Sequence, residues 1–138
     1  MQRRCFPIND IENAVFDPIA KAIRDEFPGT SVTGEYVRAP SRFPHVSIVE
    51  SDNYMSNLDS SDSERFSTVM YEVNVYSNKA SGKKAEAKAI LGLVDGMMYD
   101  LNFTRIAMTP VPNLEDSTIY RLTARYRAET DGTTMYRK

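Results

Sequence analysis

A chain of 138 residues with 41% apolar and 26% charged residues suffices for one domain with a core of its own. Its 17 Lys and Arg against 19 Asp and Glu give a net charge of −2, which argues against a free-standing nucleic-acid binder. No apolar run approaches the roughly 20 residues of a membrane helix, the stretch Met1 to Pro7 lacks the apolar segment of a signal peptide, and one cysteine, Cys5, excludes an internal disulfide.

In chain order, Asp10 to Phe27 reads as a helix. Ile11, Val15, Ile19, Ala22, Ile23 and Phe27 recur at helical spacing, and Pro28-Gly29 stops the pattern. Pro18 either kinks one helix or begins a second with Asp17 as its cap. Ser31 to Arg38 is a weak strand interrupted by Gly34, and Val46 to Glu50 is a better one. Ser51 to Glu64 carries Asp52, Asp59, Asp62 and Glu64 among serines, with no Lys or Arg between Arg42 and Arg65, and so reads as a mobile acidic loop. Ser67 to Tyr76 is the strongest strand. Val69, Tyr71, Val73 and Val75 take one face, and Met70, Glu72, Asn74 and Tyr76 the other. Lys83 to Leu101 is the second helix, capped by Ser81. Ala87, Ile90, Leu91, Val94, Met97, Met98 and Leu101 form its stripe, with Lys84, Lys88 and Asp95 outside it.

Arg105 to Val111 is a strand ended by prolines. Thr118 to Arg127 alternates, with Tyr120, Leu122, Ala124 and Tyr126 opposed to Arg121, Thr123, Arg125 and Arg127. The tail from Glu129 to Lys138 reads as loose. The fold class is therefore α+β: one domain with a single, mostly antiparallel sheet and two helices packed on it, in the order α-β-β-β-α-β-β. Val73, Val75, Ile90, Val94, Leu122 and Ala124 are expected in the core.

The sequence offers little catalytic chemistry. His45 is the one histidine, without the partners that a metal site or a triad needs. Gly82-Lys83 fails the phosphate-loop pattern, because Ser77 and Lys84 stand where glycine and Ser or Thr are required. The acidic stretch has no glycine for a calcium loop. No cofactor, no metal and no enzymatic activity are expected. Arg121, Arg125 and Arg127 form a row on the last strand, with Arg105 expected beside them. Such a row binds phosphate, pairs with carboxylates across a subunit interface, or stays solvated.

From Met70 to Arg127 the sequence resembles the tail terminator (tail completion) proteins of the head–tail junction of tailed bacteriophages. The resemblance is carried by Tyr71-Glu72-Val73-Asn74-Val75-Tyr76-Ser77-Asn78, the helix Lys83-Lys84-Ala85-Glu86-Ala87-Lys88-Ala89, Leu101-Asn102-Phe103, the strand with Pro110 and Pro112, and Tyr120-Arg121-Leu122-Thr123-Ala124-Arg125-Tyr126. It implies a non-enzymatic homohexameric ring in the virion, made in the host cytoplasm. The ring caps the tail tube, docks on a head-side connector or stopper protein, and lets DNA pass without specific binding and without a membrane. Arg105, Arg121, Arg125, Arg127, Asp52, Asp59, Asp62 and Glu64 are the expected subunit or partner interface. The acidic stretch would then dock on a neighbouring ring, line the lumen, or stay idle. Two alternatives remain: another neck component, such as a head-closure or minor tail protein, and a soluble small-molecule-binding domain.

Overall fold

The computed structural model describes residues 10–58, 64–112 and 116–137. They form helix α1 (Glu12–Glu26), strands β1 (Ser31–Thr33), β2 (His45–Leu58) and β3 (Glu64–Ser77), helix α2 (Lys83–Asp100), and strands β4 (Thr104–Val111), β5 (Tyr120–Thr130) and β6 (Met135–Arg137). The order α-β-β-β-α-β-β is the expected one, with a short strand added at its end. One sheet runs β1-β2-β3-β5-β4, and β6 continues beside β5. Every pairing is antiparallel except β1 with β2.

Both helices lie on one face of the sheet, the inner face. The period of two in β3 and β5 buries Val69, Tyr71, Val73 and Val75 beside Leu122, Ala124, Tyr126 and Ala128. Against them pack Val15, Ile19 and Ile23 from α1 and Ala87, Ile90, Leu91, Val94 and Met98 from α2. All six expected core residues are buried. Pro18 lies inside the single helix α1 at an exposed position, so the carbonyl that its missing N–H leaves free faces solvent.

The two ends of α2 are made differently. Its N-cap is Gly82, at φ +86°, rather than Ser81, and no side chain caps it. The Glu86 amide closes the first turn on the Gly82 carbonyl, while the Glu86 carboxylate accepts a 2.6 Å hydrogen bond from Ser77 Oγ. At the other end Asn102 takes φ +69°. Its amide donates to the Tyr99 carbonyl and that of Phe103 to the Met98 carbonyl, which satisfies both carbonyls, and Phe103 is folded into the core.

Three expectations are corrected. The segment Ser51 to Glu64 is not a loop over its described residues: 51–58 belong to β2 and Glu64 begins β3. These strands form a long ribbon that outruns β5, whose pairing with β3 ends at Ser67–Thr130. Asp59 and Asp62 lie outside the described residues. The tail is not loose over 135–137, because Asp131-Gly132 turns it back along β5. The Asp131 carboxylate accepts the Thr134 and Thr133 amides, which hold its carboxyl below the ordinary range, and Asn102 Nδ2 donates to the Met135 carbonyl. The first strand stops at Thr33, whose hydroxyl donates to the Glu35 carbonyl as the chain leaves the sheet.

Candidate subunit and partner interface

Among the described residues no helix covers the outer face of the sheet. Asn74 of β3 stands buried at its centre. Its Oδ1 accepts from Thr123 Oγ1 at 2.6 Å and from Arg121 Nε at 2.9 Å, and its Nδ2 donates to Glu72 Oε2 at 3.0 Å. Glu72 in turn accepts from Arg125 Nε at 3.4 Å and lies 4.0 Å from an Arg121 guanidinium nitrogen. The register explains the cluster, since Asn74 pairs with Thr123, Tyr76 with Arg121 and Glu72 with Arg125. The Arg121 guanidinium also lies 5.5 Å from the Tyr76 ring centroid and 5.8 Å from that of Tyr36. Burial pushes the Tyr76 hydroxyl above its ordinary range, with Arg121 opposing, and that hydroxyl donates to the Val37 carbonyl at 3.5 Å. Arg121 is thus held from all sides, whereas the Arg125 side chain remains 60% exposed. Arg127 shares the face, in register with Met70 and Thr104, and its Nε is buried without a hydrogen-bond partner.

Arg105 does not join the row. The register of β4 against β5 slips between Arg105 and Ala107, so Ile106 is an extra residue. Without that bulge Arg105 would share the outer face with Ala107 and Thr109. With it Arg105 pairs with Tyr126 and points to the helix side. There its guanidinium lies 3.3 Å from Asp95 Oδ2, and Asp95 Oδ1 accepts from the Tyr126 hydroxyl at 2.9 Å. Burial, reinforced by Asp95, raises the Tyr126 hydroxyl far above its ordinary range, so it is a permanent donor.

Arg105 and Asp95 form part of the wall of a groove of about 590 Å³ between α2 and β4. Met108, Pro110, Tyr120 and Leu122 give it an apolar lining, and Lys84 and Lys88 stand one helical turn apart on α2. A smaller hollow of about 220 Å³ continues past the Asp95–Arg105 pair to Tyr99 and Phe103. The sequence pattern placed Lys84, Lys88 and Asp95 outside the apolar stripe of α2. It carried no sign that the edge strand would stand away from the helix and leave them a groove.

Asp52 pairs with Met70 on the outer face of the ribbon, after a bulge that leaves Glu50 on the inner face, where it accepts from the Tyr71 hydroxyl. Asp52 is exposed, as are its neighbours Tyr54 and Met55. Glu64 opens β3 on the partner strand of this ribbon. The structure therefore separates the expected interface residues into three places: Arg121, Arg125 and Arg127 on the outer face, Arg105 in the groove, and Asp52 and Glu64 on the ribbon.

His45 is buried at the start of β2. Its ring lies 5.9 Å from the Tyr76 ring, and Nε2 is 3.4 Å from Thr33 Oγ1. Among the described residues no three His, Cys, Asp or Glu side chains converge to hold a metal ion. No protein-family model matches the chain, and no curated protein matches it either.

Proposed function

We propose that this protein is a phage tail terminator, a non-enzymatic ring subunit of the virion that caps the tail tube and joins it to the head-side connector. The observation that carries the reading is the resemblance of Met70 to Arg127 together with the α-β-β-β-α-β-β order around one sheet, the order that family shows. The surface is compatible with ring building. The sheet has two unlike edges, an acidic ribbon beside one of them and a cation-rimmed groove beside the other. Unlike patches that meet head to tail generate closed rings when the rotation closes.

The test is electron microscopy of virions assembled without the protein. A terminator stops tube polymerisation, so its loss gives over-long or headless tubes. Tails of normal length that still join heads overturn the reading. Tails of normal length on heads that lose their DNA favour a head-closure protein instead.

A further inference from the structure

We propose that copies of this chain join head to tail, the β2–β3 ribbon of one copy seated in the α2–β4 groove of the next. The inference rests on the ring reading above and names the contact that builds the ring.

Charge is the first argument. The described residues of the ribbon include Glu50, Asp52 and Glu64, and no Lys or Arg lies between Arg42 and Arg65. Among the described lining residues Arg105 and Asp95 pair with each other, and Lys84 and Lys88 supply the groove's surplus positive charge. Opposite fields of this kind orient and hold two surfaces. Shape and polarity agree. Tyr54 and Met55 are 48% and 50% exposed and lie on opposite faces of the ribbon, so a ribbon inserted edge-on brings both to the apolar lining of Met108, Pro110, Tyr120 and Leu122. Among the described residues, β1 pairs with His45, Val46 and Ser47 of β2 and with none of the residues beyond them.

A ribbon seated in this groove comes from a second copy, not from the same chain. Through β3, Tyr54 is in register with Glu129, whereas the groove residue Leu122 lies seven residues back along β5, about 23 Å away along the strand and further still across the sheet. The ribbon runs away from its own groove. Backbone pairing on β4 is a poor rival contact, because the bulge at Ile106 and the missing N–H of Pro110 blunt that edge. What remains is a side-chain contact between opposite edges of the sheet, which repeats from copy to copy.

Sedimentation velocity of the full chain at low salt tests this with three proteins: the parent, a groove variant (Lys84→Glu with Lys88→Glu) and a ribbon variant (Asp52→Lys with Met55→Ser). All four positions are exposed on the isolated subunit, and thermal melts matching the parent confirm folding; Lys84→Gln with Lys88→Gln repeats the test if the charge reversal does not fold. The parent is expected to self-associate, more weakly at high salt. Each variant alone loses at least about tenfold in association constant. An equimolar mixture of the two variants regains association, since the intact groove of one meets the intact ribbon of the other and the two reversed-charge surfaces attract as well; a mixture that associates no better than either variant alone overturns the proposal. A parent that stays monomeric up to millimolar concentration overturns the proposal and makes a small amphipathic anion the better occupant of the groove. Variants that associate like the parent overturn it too, and leave the terminator reading standing, because tail length in virions lacking the protein decides that one.

Discussion

Asn74 and His45 are both polar residues buried toward the outer face, and they are satisfied very differently. Asn74 has partners on Oδ1 and Nδ2, which keeps a buried amide from costing stability. Among the described residues His45 has the 3.4 Å approach of Thr33 Oγ1, whose hydrogen goes to the Glu35 carbonyl, and a tilted contact with Tyr76. Burial therefore pushes its pKa below the ordinary value near 6.5. A depressed pKa means that the unfolded chain takes up a proton that the folded chain refuses. Its contribution is present above about pH 6.5 and is lost as pH falls from there toward the folded value. Burial moves Glu50 the other way, upward, so its contribution is present below about pH 4.5 and is lost as pH rises through its folded value. Urea titrations of the parent at pH 8, 7, 6 and 5 should show stability falling below pH 6.5, by at most about 1.4 kcal/mol per pH unit for one proton. His45→Gln should remove that fall. An unchanged profile in the variant would assign the pH dependence to another group.

At the scale of elements, periodicity made the strands β3 and β5 and the helices legible, because each sets an apolar face in the core against a largely polar one. The ribbon was not legible for the same physical reason. Asp52 and Tyr54 on one face and Met55 on the other are all exposed, so this stretch shows no apolar alternation and reads as a loop. The site failed at a single residue. Alternation assigns Arg105 to the arginine row, and the bulge at Ile106 moves it to the other face, a slip that composition does not announce. The tail did carry a signal, Asp131-Gly132, a dipeptide suited to a tight reversal. The start of α2 gives a clean test of such turn chemistry. Gly82 has φ +86°, and nothing stands within 4 Å of where a Cβ would be placed. Gly82→Ala therefore adds no clash and isolates the backbone cost, about 1–2 kcal/mol. A denaturation midpoint equal to the parent's would mean that the chain reaches α2 by another turn.

For the molecule as a whole the two faces of the sheet have different duties, and stability should divide accordingly. The inner face is closed by both helices, and Val94 lies fully buried between α2 and the sheet. A carboxylate there has no partner to compensate its lost hydration, so Val94→Asp should cost more than about 4 kcal/mol and leave little folded protein. The outer face is held by a polar network whose exposed member is Arg125. Its bond to Glu72 is long, at 3.4 Å, and its side chain is open to water. Ion pairs of that kind are worth roughly 0–1 kcal/mol, so Arg125→Ser should leave a urea midpoint close to the parent's. The contrast between the two variants is the informative quantity. If Arg125→Ser unfolds the chain as Val94→Asp does, the arginine row is part of the fold and has no strength to spare for a partner. If it folds normally, Arg125 is held in place by Glu72 without the fold depending on it, and its guanidinium is free to exchange that carboxylate for one on a partner. Under the proposed terminator role, tail joining by the folded Arg125→Ser variant reads the outer face directly: heads and tails that fail to join, with subunit association unchanged, would separate a docking surface on the outer face from the proposed ribbon-and-groove contact.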